Sequence, residues 1–286
     1  MLWFGGAVQA QTPTATITGI VTDESGAVVP GAHIVISDIN TGVRSAATSN
    51  DTGNYVIANL RPGTYKVTAE KQGFSTAARS GITLEVSQVA RLDFSLRVGA
   101  TSEQVEISAR APIIEASTAS IGQTIENKAV TDLPLNGRNY LQLAKLSAGV
   151  LEAKQGDRAA AGGSFIANGV RAQLNNFQLD GVDNNAKIVD QQNSSPATIQ
   201  PSVDAIQEFR VETNNYSAEY GYSAGAVVNA TLKSGTNHIH GDVYEFLRNS
   251  DLDARNYFAT AGTPKPILQQ NQFGGTLGGP LIKNAA

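Results

Sequence analysis

Residues 168–185 read NGVRAQLNNFQLDGVDNN, a stretch dense in asparagine and glycine that holds one arginine, Arg171, and two aspartates, Asp180 and Asp183. It has no histidine, cysteine or serine–base pairing of the kind that carries chemistry. Short apolar pieces sit beside and within it, Phe165-Ile166-Ala167 and Phe177-Gln178-Leu179. Asparagine and glycine accept tight turns and supply donors and acceptors without net charge. SFIANGVR and NNFQLDGV therefore read as two short strands around a polar turn, in a region of mixed α and β elements.

The flanks support that texture. Upstream, TIENKAVTDLP predicts a short helix stopped by Pro134. NGRNYLQLAKLSAGV predicts a second helix, with Tyr140, Leu141, Ala144 and Leu146 near helical spacing and Gly149 as its stop. Downstream, SVDAIQEFRVET predicts a helical turn behind Pro201 and then a strand from Glu208 to Thr213, and GAVVNATLK predicts another strand.

Residues 14–98 have a period of two. Tyr65, Val67 and Ala69 share one face, as do Leu92, Phe94, Leu96 and Val98, while polar residues occupy the alternate positions. Ile34 and Ile36, and Ile82, Leu84 and Val86, repeat the pattern. A sheet with one buried and one wet face demands this alternation. Turns such as Asp51-Thr52-Gly53 and Arg61-Pro62-Gly63 divide the runs into about seven strands, the signature of an antiparallel sandwich. Tyr55, Tyr65 and Phe94 are expected in the core, and His33 is expected to be an ordinary sandwich residue.

Composition narrows the function. A net charge of −4 argues against a nucleic-acid partner, which normally calls for a basic stripe. The absence of cysteine excludes disulfides and thiolate metal sites. Residues 1–13 look like the tail of a secretory signal, with Val8-Gln9-Ala10 as a small-residue cleavage site. No run approaches the roughly 18 apolar residues of a membrane helix, so any entry into a membrane would be by strands.

The order of turns in residues 14–98 resembles the carboxypeptidase-regulatory-like domain, a transthyretin-like or Ig-like β-sandwich with relatives among carbohydrate-binding folds. LPLNGRNYLQLAKLSAGV, FIANGVRAQLNNFQLDGVDNN and SVDAIQEFRVE through GAVVNATLKSGTN resemble the plug of TonB-dependent outer-membrane receptors. Sandwich plus plug resembles the Oar-like type, and NQFGGTLGGPLIKN resembles its early barrel. The chain accordingly divides into a signal remnant at 1–13, a sandwich at 14–98, a linker at 99–112, a plug at 113–237 and the start of a truncated barrel at 238–286.

In the linker, EQVEISA reads as an extended segment, either a last edge strand or a piece that adds to a partner's sheet. The resemblance makes it a candidate TonB box, with Glu103, Val105, Ile107 and Ala109 facing a TonB-type energy-coupling protein. It also makes Arg171, Asp180, Asp183 and Asn184 the plug's signature, structural residues near a ligand path. Arg171 and Asp180 are expected to pair and fix their hairpin. The resemblance implies active uptake of an unidentified ligand, a glycan or a peptide, with outer-membrane lipid around the full-length protein, the sandwich in the periplasm and no cofactor.

Rival chemistry finds little footing. His238, His240 and Asp242 share a strand face without a further ligand cluster, and DGVDNN lacks the later glutamate of a calcium loop. No P-loop, G-x-S-x-G or dinucleotide fingerprint occurs, so the chain is not expected to be an enzyme. The alternative function is a secreted or cell-surface adhesion protein whose sandwich holds a glycan.

Overall fold

The structure is a computed structural model and describes residues 14–99, 104–108, 120–133, 138–153, 163–186, 196–218, 223–255 and 264–281, with 135, 220, 221, 257, 258, 260, 262 and 283. The signal remnant at 1–13 lies outside the described residues. The chain divides into two compact units, one running to Ser234 and one spanning Gly235–Lys283.

The first unit opens with eight strands: β1 (Ala15–Asp23), β2 (His33–Asp38), β3 (Arg44–Thr48), β4 (Asn54–Leu60), β5 (Gly63–Glu70), β6 (Thr76–Leu84), β7 (Val89–Arg91) and β8 (Phe94–Leu96). A ninth, β9 (Gln104–Ser108), follows. One sheet has β1 at its centre, paired with β4, β7 and β8; the other runs β3-β2-β5-β6-β9. Alternate residues of both turn inward to one core that includes Ile17, Val21, Ile34, Ile36, Val67, Ile82, Leu84 and Leu96. Tyr55, Tyr65 and Phe94 lie in this core, and His33 is exposed on β2.

Two features depart from the alternation argument. Val98 is 80% exposed: the strand ends at Leu96, and Val98 is bridged to Phe74 outside the sheet's core face. The sandwich is also not purely antiparallel: β1 pairs in parallel with β7 and β8, and β6 with β9. The parallel contacts crowd the chain against β1 at Gly19. There the Leu92 N–H donates to the Thr18 carbonyl at 2.8 Å, and the Tyr55 hydroxyl donates to the Leu92 carbonyl at 2.5 Å. A Cβ on Gly19 would run into that same carbonyl, so only glycine fits.

A mixed α/β region follows. Its elements are β10 (Ile121–Glu126), helix α1 (Asn127–Asp132), β11 (Val150–Glu152), β12 (Phe165–Ala167), β13 (Asn176–Leu179), β14 (Val182–Asp183), β15 (Ile206–Asn214) and β16 (Val227–Leu232). The main sheet runs β10-β15-β16-β13-β14, and β11 and β12 form a separate pair. One sheet face packs Ile125, Phe209, Val211, Val228 and Ala230 against Tyr140, Leu141 and Val203. Tyr140 meets Phe209 edge to face with ring centroids 5.3 Å apart.

Tyr140–Leu146 is a 3-10 helix, not the expected α-helix. Buried positions 140, 141, 143 and 144 fit either period over one or two turns, so the spacing could not separate them. Leu146, expected on the apolar face, is 51% exposed at its end.

The second unit is one long hairpin. Strand β17 (His240–Asn249) pairs antiparallel with β18 (Gln269–Gly278) along ten residue pairs. Among the described residues no helix is long and apolar enough to cross a membrane, which says nothing about strands.

Ile34 is fully buried at the centre of the sandwich. Ile34→Ala should cost the sandwich about 2–5 kcal/mol, read from urea unfolding followed by circular dichroism. A loss no larger than that of the exposed Val56→Ala would contradict the core described here.

Candidate functional site

The NGVRAQLNNFQLDGVDNN stretch forms two tight turns and a lattice of amide bonds. Asn168 and Gly169 have φ of 50° and 79°, and Asp180 and Gly181 have 48° and 75°. Two successive left-handed residues make the type I′ turn that matches strand twist, which is why Asn-Gly and Asp-Gly stand there. The first turn closes Ala167 onto Val170, and the second joins β13 to β14 through Leu179 and Val182.

The asparagines flanking β13 act as spare peptide groups. Asn175 is buried, donates to the Phe165 carbonyl at 2.8 Å and accepts from the Ala226 N–H at 2.9 Å. Asn184 is buried, donates to the Ile199 carbonyl at 2.9 Å and accepts from the Ile199 N–H at 2.8 Å. Asn176 donates to Gly221 and accepts from Asn185, whose own oxygen accepts the Phe177 N–H at 2.9 Å. Strands of two to four residues leave many backbone groups without ladder partners, and each buried orphan costs free energy. The amides fill those vacancies.

The expected Arg171–Asp180 pair does not form. Arg171 is exposed at the start of a 3-10 turn, while the Asp180 carboxylate accepts the Leu232 N–H at 3.0 Å. A carboxylate in a type I′ turn reaches the neighbouring strand's backbone more readily than an arginine on the far side of a loop. Asp183 accepts from Asn185 at 2.9 and 2.7 Å and thereby orients the amide lattice. The structure thus brings Asp180, Asp183 and Asn184 together around β13 and β14 and leaves Arg171 outside.

The ion pairs lie elsewhere. Arg138 grips both oxygens of Asp204 at 2.9 Å, with side chains 11% and 5% exposed. Arg210 contacts Glu212 at 3.1 Å, and both are buried. Glu208, Arg210 and Glu212 alternate with Phe209 and Val211 along β15. That spacing was visible in QEFRVE, but a two-residue period alone marks such charges as a wet face. Here the polar face is buried as well.

Part of what covers it is the sandwich turn 85–88. The Val86 N–H donates to the Glu208 carboxylate. Asn229 on β16 donates to the Ser87 hydroxyl at 3.0 Å, and that hydroxyl lies 2.9 Å from the Tyr220 hydroxyl. Burial pushes the Glu208 carboxyl up to about 7 from an ordinary 4.5; Glu85 and Glu126 add to the rise, while the Val86 N–H and Arg210 oppose it.

Gln104–Ser108, the described part of the coupling candidate, forms β9 on the open side of β6, with Val105 opposite Ala77 and Ile107 opposite Arg79. Glu103 and Ala109 lie outside the described residues. His240 begins β17 with its Nδ1 2.9 Å from the His238 carbonyl, and no group of three or more candidate metal ligands occurs among the described residues.

The hairpin has two distinct faces. Val243, Leu247, Phe273 and Leu277 stand on one, all more than 60% exposed, with Glu245 opposite Phe273. Asp242, Tyr244, Phe246, Arg248, Gln270, Gln272 and Thr276 stand on the other, mostly polar face, where the Thr276 hydroxyl donates to Asp242. Tyr244 lies across Gly274, at a position where a Cβ would collide with its ring.

These parts define a class: a β-sandwich of the carboxypeptidase regulatory-like type, an amide-braced α/β sheet and the two-faced strands of an outer membrane beta barrel domain. The carboxypeptidase regulatory-like domain matches residues 16–97, and the outer membrane beta barrel domain matches residues 231–286. Along 99% of its length the chain is 30% identical to the TonB-dependent transporter Oar of Myxococcus xanthus, of which it spans 27%. It is thus similar throughout to an Oar-like TonB-dependent receptor and covers about a quarter of that relative's length. Among solved structures, hydroxyquinol 1,2-dioxygenase from Pseudomonas putida shares 12% identity over 31% of this chain and 57% of that one, at a TM-score of 0.25. The dioxygenase domain of a Streptomyces carbohydrate-binding fusion shares 12% over 33% and 86%, at 0.26. Likeness of that size carries no argument about fold or activity.

Two measurements test the site. Asn184→Ala strips both backbone groups of Ile199 of their partners and should cost about 1–3 kcal/mol. The exposed Arg171→Ala should stay within about 0.5 kcal/mol. Urea unfolding with hydrogen exchange at Ile199 separates the two. For Glu208, the folded state binds the proton more tightly than the unfolded chain does, so its stabilising effect is complete below pH 4.5 and is lost as pH rises towards 7. Relative to Glu208→Gln, the wild-type chain should lose stability across that window; parallel pH profiles would refute the assignment.

Proposed function

We propose that this chain is the N-terminal part of a TonB-dependent outer-membrane transporter that takes up an extracellular ligand. The likeness to the Oar transporter along nearly the whole chain carries this reading. The hairpin supports it physically. Ten residues per strand is the length a tilted membrane strand needs, about 9–11 residues. Its apolar face suits lipid and its polar face suits a barrel lumen. The long connection 250–268, which exposes Tyr257 and Phe258, then lies on the outer side, since such barrels keep their short turns on the periplasmic side.

In this reading the sandwich is periplasmic, and β9 is the segment that engages a TonB-type coupling protein driven by the inner-membrane gradient. The asparagine-braced sheet is the plug, a unit whose short strands are held by many local hydrogen bonds over one apolar core. The chain itself carries out no reaction and needs no cofactor. The ligand is a small glycan or peptide, a class to which the polar turns 168–169 and 180–181 offer backbone and amide contacts.

The test uses the full-length protein in cells. Phe273→Arg, midway along the strand on the lipid-facing side, should reduce the heat-modifiable outer-membrane form, since arginine at mid-membrane costs about 2–4 kcal/mol. Gln272→Lys on the lumen side should leave that form intact. Val105→Pro removes a backbone donor from β9 and should abolish in-cell cross-linking to the coupling protein while outer-membrane assembly persists. Equal assembly of both barrel variants, or undiminished cross-linking of Val105→Pro, would overturn the reading.

A further inference from the structure

The placement of β9 carries an inference that rests on the coupling role proposed above. A coupling segment is usefully read as a bare strand that waits for a partner. Here Gln104–Ser108 is already the fifth strand of the sandwich sheet, with Gln104 opposite Thr76 and Ser108 opposite Ser80. One edge of β9 is bonded to β6; among the described residues β9 is the terminal strand of the sheet and its other edge has no strand beside it. An open edge presents a row of free N–H and C=O groups, a template for one more strand.

The strand beneath it leads directly to the plug. β6 ends at Leu84, and the next four residues are the turn that docks on β15 and β16. The turn is itself braced. The Glu85 N–H donates to Gln88 Oε1 at 2.8 Å, and the Gln88 carbonyl accepts the Thr16 N–H at 2.8 Å, which ties it to β1. Val86 is fully buried, and its N–H donates to the buried Glu208 carboxyl away from water. The junction touches β15 and β16, the interior of the plug sheet, whereas the chain that continues from Ser108 enters that sheet at its edge strand, β10.

We propose that the sandwich is a load-bearing adapter: a strand of the coupling protein adds to the open edge of β9 while β9 stays on β6, and the pull passes along β6 through turn 85–88 into the plug's interior strands. Load directed along β9 shears its ladder with β6, so all of the hydrogen bonds resist together. At the junction the bonds at Val86, Ser87 and Asn229 carry the load onward. The plug's centre is thereby tied to the coupling segment by a path other than the linker.

The chain has no cysteine, so Ala78→Cys with Glu106→Cys, opposite each other in the register, can lock β9 onto β6. The probe is the purified periplasmic domain of a TonB-type protein. The locked and reduced chains should bind it with affinities within about two-fold of each other. Loss of binding by about ten-fold or more on locking would mean that β9 must leave the sheet, and would overturn the adapter. So would failure of the pair to cross-link, or binding to a free peptide of residues 103–109 without binding to either form of the chain. Absence of binding to peptide and chain alike would instead overturn the coupling role itself.

The load path is read separately in the full-length receptor in energised cells. Ala230→Cys, buried in the plug, reports opening through maleimide labelling that depends on the coupling protein. Ser87→Ala with Tyr220→Phe loosens the junction without touching either core. It should slow labelling by at least about five-fold while the coupling domain still binds normally. Unchanged labelling in that variant would overturn the relay. Glu208→Gln, which keeps the shape of the acceptor, should label at the parent rate below pH 7 and serves as the control for folding.

Discussion

The mixed α/β region depends on where its backbone hydrogen bonds go. Several of its strands are too short to satisfy one another: β13 has four residues, β14 has two, and β11 and β12 have three each. A buried peptide group without a partner costs more than a hydrogen bond contributes, so such a fold needs side chains that imitate the backbone. Asparagine does so with one donor group and one acceptor on a short stem. Asn175 joins β12 to the start of β16, which no ladder connects, Asn184 extends the bridge between Asn185 and Ala197 to Ile199, and Asn168 reaches the Thr213 carbonyl at 2.7 Å. The pairs at 175–176 and 184–185 bracket β13 and fasten it on both sides.

This way of building has a dynamic consequence. The α/β region combines one continuous apolar core with a lattice of side-chain amide bonds, whereas the sandwich closes a core of similar size between two sheets with long ladders. Local opening follows the local density of such contacts. The buried alternation Glu208, Arg210, Glu212 marks where the two meet in chemistry as well as in space. Charges there are costly, and they persist because each is given partners: Val86 for Glu208, and Glu212 with Thr124 for Arg210.

The hairpin follows a third rule. Neither of its faces is buried within the unit, and it is the chemical contrast between them that carries meaning. Large apolar side chains left exposed together on one sheet face mark a surface meant for another apolar phase. Glycines opposite Tyr244 and His240 on the other face let the aromatic rings lie flat across the neighbouring strand.

Much of this was legible in the sequence, because local chemistry decides local structure. The period of two in residues 14–98, the Asn-Gly and Asp-Gly turns and the short helix ahead of Pro134 all depend on neighbours a few positions apart. The order of motifs supplied the likeness that the comparisons bear out. Other features needed the folded chain. Whether Tyr140–Leu146 is α or 3-10 depends on the sheet it packs against, since its apolar spacing satisfies both. Whether Asp180 meets Arg171 or the Leu232 backbone depends on β16, which arrives some fifty residues later. That Gln104–Ser108 lies parallel to β6, and that Glu208 is dry and not wet, are matters of long-range pairing and exclusion of water. Periodicity tells which residues share a face; only tertiary structure tells what that face meets.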